Sequence, residues 1–282
     1  MSEGRLSGGA CYIHGTGAAE QRRLSRLNDL LNAGSLRELA PRAGERVLDV
    51  GCGQGQLARA ISRATGVQVV GVERDAAQAA RARALASEAG EGGLLDVRLG
   101  DAAELPLAAA EVGAFDVAHA RFVLEHVRDP LAVVRAMVRA VRPGGRVVLS
   151  DDDHDLLRLH PEPPGLRPAW EALVRAYDRN GSDPFVGRRL PSLLHAAGAA
   201  PRRITWVFFG ACAGEPDFPG FVENLAQNLL GARDLVAATG LEAGAVDAAA
   251  EALDAFGRRP DAAIWYAMAW AEGVRTPGAR SR

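Results

Sequence analysis

One segment, Arg46 to Leu57, constrains the fold of this chain more than any other. Its apolar start, Arg46–Val50, predicts a short buried strand. Three glycines follow at alternate positions, Gly51, Gly53 and Gly55. Glycine lets a backbone turn sharply and approach a ligand closely, and the helical pattern that comes next presents free N–H groups to an anionic ligand group. The segment therefore predicts a strand–loop–helix unit with a ligand at the carboxyl end of the strand.

The first half of the chain repeats this alternation. Further short apolar runs lie at Val67–Val72, Leu94–Leu99, Phe115–His119 and Gly145–Ser150. Amphipathic patterns predict helices over Ala18–Leu39, Gln56–Thr65, Asp75–Ala89 and Pro130–Val141. Strands and helices that alternate in this way favour βαβ units and a parallel sheet.

The second half of the chain follows a different pattern. The acidic, proline-rich stretch Asp151–Pro164 is typical of a loop. The remaining patterns predict helices over Ala169–Arg179, Gly187–Ala197, Pro219–Ala238 and Ala243–Phe256, and strands over Arg203–Phe209 and Ala262–Trp270. The chain after Gly273 is expected to fray.

Composition excludes several classes of protein. The chain has 33 Lys+Arg and 35 Asp+Glu, and its net charge of −2 lacks the basic field of a general nucleic-acid binder. Its three cysteines are too few and too scattered for a disulfide framework, so a reducing cytoplasm is the expected location. No apolar run reaches the roughly 18 residues of a membrane span.

The glycine spacing separates two kinds of nucleotide-binding loop. A dinucleotide fingerprint, Gly-x-Gly-x-x-Gly, needs glycine at position 56, where this chain has Gln56. The spacing Gly-x-Gly-x-Gly, with Asp49 two residues earlier, resembles the S-adenosylmethionine (SAM) loop of class I methyltransferases. An NAD-dependent oxidoreductase therefore stays only as a less favoured alternative.

Four more segments carry the same resemblance in the same order. They are Val69–Glu73, which ends in a carboxylate, Gly100–Ala102 after the third strand, Phe115–His126, and Leu131–Leu149 with its Arg-Pro-Gly-Gly turn. Together with the glycine loop they are similar to the successive elements of a class I SAM-dependent methyltransferase. The type that they resemble is the ubiquinone-methylase-like group that acts on small molecules.

The resemblance implies an α/β fold, with a Rossmann-like sheet of seven strands flanked by helices and an inserted helical cap. Residues 1–40 would cover the cofactor, and residues 41–151 with 201–273 would form the SAM-binding core. Residues 152–200 and 211–258 would form cap elements around the substrate pocket, and residues 274–282 a tail.

The resemblance also implies contacts along the whole length of SAM. At the methionine end these are Tyr12, Asp49, Gly51, Gly53, Gly55 and the main chain of Ala120. At the ribose and adenine they are Glu73, Arg74, Asp101 and Ala102. A carboxylate at the position of Glu73 can accept hydrogen bonds from both ribose hydroxyls.

Methyl transfer is an in-line displacement, so the protein mainly aligns the acceptor and excludes water. A base is needed only when the acceptor atom carries a proton with a high pKa. After the fifth strand, His154 suits that role and favours an oxygen acceptor. The acidic run around it, Asp151–Asp155, could instead be a solvated loop or hold Mg²⁺, and no metal ligand is assigned. His126, in a Leu-Glu-His turn, is interpreted as structural.

Expected substrate contacts are Arg121, Phe122, Asp152, Trp170 and Tyr177. The last two lie seven residues apart on one helical face, which suits an aromatic wall or core packing. The chain is thus expected to methylate a small molecule of specialised metabolism, to leave S-adenosylhomocysteine (SAH), and to act as a monomer or homodimer without nucleic-acid or membrane partners. A SAM-binding protein that catalyses a non-methylating reaction is the main alternative.

Overall fold

A computed structural model of the protein describes residues 18–179, 181–242 and 244–277. The central sheet contains β1 (Val47–Val50), β2 (Val69–Glu73), β3 (Leu95–Leu99), β4 (Phe115–Arg121), β5 (Val141–Asp151), β7 (Ala199–Phe208) and β10 (Ala267–Arg275). Its strand order is β3-β2-β1-β4-β5-β10-β7. The strands β1 to β5 are parallel, and β10 is antiparallel to both of its neighbours. The sheet therefore has the seven strands that the resemblance implies.

Helices cover both faces of this sheet. They are α1 (Ala18–Leu39), α2 (Gln56–Thr65), α3 (Ala76–Glu88), α4 (Pro130–Ala140), α5 (Leu166–Arg179), α6 (Leu190–Ala197), α7 (Phe218–Gly231), α8 (Arg233–Ala237) and α9 (Ala245–Gly257). Apolar side chains of α1, α2 and α3 are buried in a cluster on one face, and those of α4 and α6 in a cluster on the other. In the part of the chain that is described, no helix combines the length and the apolar character that crossing a bilayer requires.

Local sequence explains how the first half folds. Every residue of β1 and β2 is buried, as expected for strands covered on both faces, and their sequences are accordingly almost continuously apolar. Two aspartates cap the helices that follow strands: Asp75 accepts a hydrogen bond from the Gln78 amide at 2.8 Å, and Asp129 accepts one from the Ala132 amide at 3.0 Å. Each cap satisfies a donor that the first helical turn leaves unpaired.

Long-range pairing changes several boundaries in the second half. The segment predicted as a loop contains β6 (Arg158–His160), which joins β8 (Ala211–Cys212) and β9 (Ala263–Trp265) in a small sheet of order β6-β9-β8. The single strand predicted over Ala262–Trp270 is divided at Tyr266, and β10 extends beyond the predicted fraying point because β5 and β7 pair with it on both sides. These pairings join residues 51 to 128 positions apart, so local composition does not predict them.

Helix α6 lies inside the range 152–200 that was predicted as cap, but it covers the sheet. Its buried residues Leu190, Leu193 and Leu194 share a cluster with Val134 of α4 and Ala271 of β10. The apolar face of α6 thus closes the sheet next to α4, while α5, α7, α8 and α9 pack with one another at the other side of the molecule.

Candidate functional site

A cavity of about 230 Å³ lies at the carboxyl ends of β1, β2 and β4, and we call it the sheet-edge cavity. Seven of the predicted cofactor residues line it: Asp49, Gly51, Gly53, Glu73, Arg74, Asp101 and Ala102. Parallel strands bring their carboxyl ends to one edge of a sheet, which is why residues more than 50 positions apart meet here. Tyr12, also predicted at this site, lies outside the described residues.

The glycine loop closes against the turn that follows β4. Gly51 has φ +70°, and a Cβ atom there would lie 2.4 Å from Cγ2 of Val123. Gly53 lines the cavity with φ +53°. Gly55 has φ +72° but is not part of the cavity wall, and a Cβ atom there would lie 2.4 Å from Cδ2 of Leu95. Gly51 and Gly53 therefore shape the cavity, whereas Gly55 lets α2 start close to β3.

Glu73 connects the glycine loop to the start of α3. Its Oε2 accepts a hydrogen bond from the Gly53 amide at 3.0 Å, and its Oε1 accepts one from the Asp75 amide at 2.9 Å. Burial raises the pKa of this carboxyl group, and the two amide bonds act against that rise. A carboxylate has about four lone-pair sites, so Glu73 keeps acceptor capacity for a diol in the cavity.

Two more predicted residues have protein partners that define their role. Asp49 is buried, and its Oδ1 lies 2.9 Å from Nδ1 of the fully buried His119. Asp101 accepts a hydrogen bond from the Ala103 amide at 2.7 Å, which orders the turn after β3. The Ala120 side chain is buried in the core, so any cavity contact of this residue is left to its main chain.

Arg121 was predicted to face the substrate, and it lines the cavity while bonded to helix α1. Its guanidinium donates hydrogen bonds to Ser35 Oγ at 2.9 Å, to Asn32 Oδ1 at 3.0 Å and to Asn28 Oδ1. Burial lowers its pKa to about 10, so the group stays charged at neutral pH. Arg121 therefore fixes α1 over the carboxyl end of β4.

The turn after β4 has a strained backbone, and the carboxylate of Asp151 bonds its amides. Phe122 has φ +54°, a conformation uncommon for a side chain of its size, and it lines the sheet-edge cavity. The carboxylate of Asp151, at the end of β5, accepts hydrogen bonds from the amides of Val123 (3.1 Å) and Leu124 (2.7 Å) on one oxygen. Its other oxygen accepts one from the Asp152 amide at 3.1 Å. Asp151 thus joins the two strand ends that flank the site.

His154, the predicted base, does not line the sheet-edge cavity. It is 3% exposed, and its Nε2 lies 3.2 Å from Oε2 of Glu125. Burial lowers its pKa. It forms part of the wall of a separate cavity of about 340 Å³, the second cavity, together with Trp170, Phe185 and Arg158.

The predicted aromatic residues surround His154. Trp170 donates a hydrogen bond from Nε1 to the His154 carbonyl oxygen at 3.1 Å, and the Tyr177 ring lies 5.0 Å from the His154 ring. Both are buried, and neither lines the sheet-edge cavity. Both rings pack against the imidazole of His154. Contact of Trp170 and Tyr177 with a substrate in the sheet-edge cavity stays a prediction that the geometry does not support.

Two carboxyl groups and an imidazole lie close together after the ends of β4 and β5. Donor atoms of Glu125, Asp152 and His154 lie within 4.8 Å of one another. Burial is the main cause that raises the pKa of both carboxyl groups, of Glu125 to about 8. Carboxylates in such proximity are relieved by a proton or by a nearby cation. At neutral pH this structure favours a protonated Glu125.

Glu125 was not among the predicted site residues, and His126 was considered only as a weaker base candidate than His154. His126 lines the sheet-edge cavity, and its Nε2 lies 3.4 Å from Oε1 of Glu125. The available signal was their position, directly after the strained turn that ends β4. The interpretation of His126 as structural is therefore incomplete, because its ring forms part of the cavity wall.

A family model described as a methyltransferase domain matches residues 19–203. Over 117 residues the chain is 44% identical to the ubiquinone biosynthesis O-methyltransferase of Ralstonia nicotianae, which covers 41% of this chain and 46% of that protein. Over 125 residues it is 38% identical to the 27-O-demethylrifamycin SV methyltransferase of Amycolatopsis mediterranei, covering 44% and 43%. The matches thus span about half the length of these relatives.

Among solved structures, the crystal structure of the [4+2]-cyclase SpnF superposes with a TM-score of 0.56. It shares 23% sequence identity, and the match covers 95% of this chain and 98% of the cyclase. At this identity the likeness shows a common fold. The fold alone therefore leaves the reaction open, since it also carries a protein described as a cyclase.

Proposed function

This chain belongs to the class I SAM-dependent methyltransferases, and from that premise we propose that it transfers the SAM methyl group to a hydroxyl oxygen of a small molecule. The observation that carries the proposal is the sheet-edge cavity, whose wall includes the glycine loop, Glu73, Phe122 and His126. The two curated relatives are named as O-methyltransferases or as a methyltransferase of a rifamycin, which supports a small oxygen acceptor of specialised metabolism.

The residues present fit SAM. The Glu73 carboxylate, already held by two amides, keeps lone pairs for the ribose hydroxyls. All of the following line the cavity: we assign Arg74, Asp101 and Ala102 to the adenine, and Asp49, Gly51 and Gly53 to the methionine end. Gly55 lets α2 start close to β3, and the side chain of Ala120 is buried. When bound, SAM would supply a methyl group on a cationic sulfur, and an oxygen that attacks the methyl carbon would displace the sulfur directly.

The chain has three tasks in this reaction. Phe122 and His126 line the cavity, and we assign them to the space for the acceptor. The strained turn, held by Asp151, fixes their positions, and alignment of this kind supplies much of the rate in such reactions. His154 is proposed to receive the hydroxyl proton, with the rings of Trp170 and Tyr177 packed against its imidazole.

A thermal-shift experiment with SAH tests the cofactor, with NADH as the control ligand. SAH at about 100 times its dissociation constant is expected to add roughly 2.7 kcal/mol to the free energy of unfolding. Stabilisation by NADH alone would contradict the proposal and favour an oxidoreductase. Protein purified with SAH already bound would show no shift, so extraction and identification of bound nucleosides accompanies the measurement.

Turnover separates the proposed methyl transfer from a non-methylating reaction on the same fold. Release of SAH that depends on an added acceptor is expected, whereas a SAM-binding cyclase would convert its substrate without forming SAH. Replacement His154→Ala is expected to lower kcat about 10²–10⁴-fold while SAM binding is unchanged. Full turnover in that variant would remove His154 from the mechanism.

A further inference from the structure

Three side chains form a continuous path between the two cavities. His126 lines the sheet-edge cavity, and its Nε2 lies 3.4 Å from Oε1 of Glu125. The other oxygen of Glu125, Oε2, lies 3.2 Å from Nε2 of His154. His154 in turn belongs to the wall of the second cavity. One carboxyl group therefore lies between two imidazoles, each belonging to the wall of a different cavity, and Nδ1 of each ring is buried.

We propose that His126, Glu125 and His154 form a proton relay that carries the acceptor proton from the sheet-edge cavity to the second cavity. This inference rests on the proposed function, because only an acceptor that carries a proton needs such a path. It also explains how His154 can act although it does not reach the sheet-edge cavity itself.

The protonation states favour a relay over an ion pair. Burial lowers the pKa of His126 to about 3 and lowers that of His154, so both rings are neutral at pH 7. Burial raises the pKa of Glu125 to about 8; Arg23 of α1 lowers it and Asp183 raises it further. All three groups are then uncharged, and each can donate one proton and accept another.

The proton transfer balances without any further reactant. Methylation forms the C–O bond and breaks the S–CH₃ and O–H bonds, and the hydroxyl proton passes to Nδ1 of His126. The Nε2 proton of His126 moves to Oε1 of Glu125, and the Oε2 proton of Glu125 moves to Nε2 of His154. Nδ1 of His154 is buried and has no hydrogen-bond partner among the described residues, and we assign the release of its proton to a water that enters from the second cavity. No charge is left in the buried cluster at the end, which avoids the cost of an isolated buried ion.

The supporting residues keep this path rigid. Asp151 holds the turn that carries Glu125 and His126, through the amides of Val123 and Leu124. Tyr177 lies against both rings, with its centroid 5.9 Å from that of His126 and 5.0 Å from that of His154. Hydrogen-bonded proton transfer requires such fixed distances.

Nitrogen-15 NMR of the histidines in the ligand-free chain tests the relay without any acceptor. At pH 7 we expect two neutral rings, with the proton of His126 on Nε2 and that of His154 on Nδ1. The variant Glu125→Gln can keep the hydrogen bond to His154 through its amide and the 3.4 Å contact with His126 through its carbonyl, and it should preserve both tautomers. A cationic ring, or protons on the Nε2 atoms of both rings, would overturn the relay.

Kinetics provide a second test, with para-substituted phenols as probe acceptors and SAH release as the readout. Glu125→Gln can form both bonds but cannot pass a proton, so kcat should fall about 100-fold for phenols with a hydroxyl pKa near 10. The loss should shrink as the phenol becomes more acidic, while KM for SAM stays unchanged. The exposed Glu242→Gln is the matched control and should retain wild-type kcat.

An equal loss of kcat across the phenol series would assign Glu125 a structural role and overturn the relay. Loss of wild-type turnover after treatment with EDTA would also overturn it, because the cluster of Glu125, Asp152 and His154 would then serve a cation. If the wild-type chain binds SAH but methylates none of the phenols, the proposed function fails for phenolic oxygen. The NMR measurement still decides the relay in that case.

Discussion

At the scale of single residues, the conformation of Gly51 is decisive. Two separate features favour glycine at this position: the positive φ, and the close approach of Val123, which leaves no room for a Cβ atom. Only the second feature is specific to the site. Position 44 offers a comparison, because Gly44 has φ +82° and a Cβ atom added there would meet nothing within 4 Å. A pair of alanine variants can therefore separate backbone strain from the loss of loop geometry.

We expect Gly51→Ala to lose SAH binding. We also expect its free energy of unfolding to be lower than that of Gly44→Ala. Both variants carry the strain of a positive φ, roughly 1–2 kcal/mol. Only Gly51→Ala also pushes the glycine loop away from the turn after β4. Thermal unfolding with and without SAH measures both effects. Equal behaviour of the two variants would show that contact between the loop and the turn has no role in the site.

The hydrogen bonds of Arg121 connect the end of β4 to α1, a contact that no sequence motif indicates. The guanidinium is bonded to three neutral side chains of α1, all of them more than 85 residues away in the sequence. Arg121→Met removes these bonds but keeps the length and apolar contacts of the side chain. We expect it to weaken SAH binding through movement of α1, with a loss of stability of about 1–3 kcal/mol. Unchanged SAH affinity would show that α1 does not depend on this anchor.

At the scale of elements, Asp151 links the ends of β4 and β5. Replacement Asp151→Asn leaves one oxygen for three backbone amides, so at least one buried N–H group loses its acceptor. We expect the free energy of unfolding to fall by about 1–3 kcal/mol and kcat to fall with it. Chemical denaturation and SAH release are the measurements.

The control for Asp151 is Asp155→Asn, four residues later in the same acidic run. Asp155 is exposed, and its ion pair with Arg188 is shared with Asp153. Exposed pairs contribute roughly 0–1 kcal/mol, so this variant should stay close to wild type. If both variants lose the same stability, the amide bonds of Asp151 do not hold the turn.

The same acidic run shows where element prediction from sequence ends. Composition identified Asp151–Pro164 as a loop, yet Asp151 closes a strand and β6 lies within the segment. The five residues from Asp151 to Asp155 have different roles: Asp151 is buried and accepts backbone amides, Asp153 is buried and pairs with Arg188, and Asp155 is exposed. A run of like residues gives no local signal for which of them the fold will bury.

At the scale of the whole molecule, the buried cluster links stability to pH. The pKa of Glu125 is about 8 in the folded chain against an ordinary value of 4.5, so the folded state binds more protons between these limits. The free energy of unfolding therefore falls as pH rises toward 8. His126 and His154 act in the opposite sense, but their contribution is complete above about pH 6.5.

We expect Glu125→Gln to remove part of this fall. Between pH 6.5 and 9 its Tm should decline less than that of the wild-type chain and exceed it at the upper end. A difference of about 1 kcal/mol corresponds to roughly 2–4 °C in a domain of this size. Burial and then the charge of Glu125 raise the pKa of Asp151 and of Asp152, so Glu125→Gln also lowers these two pKa values and weakens the fall further. Parallel Tm curves would show that Glu125 is ionised throughout.

Sequence patterns were sufficient to predict the parallel sheet, the glycine loop and the carboxylate of Glu73, because periodicity, turn chemistry and position after a strand are local properties. They also placed His154 after the fifth strand. The folded chain was needed to show that His154 faces a second cavity, that Arg121 bonds α1, that α6 covers the sheet, and that Glu125 joins two histidines. Burial, direction of a side chain and pairing between distant strands arise from packing of the whole chain, and no segment encodes them alone.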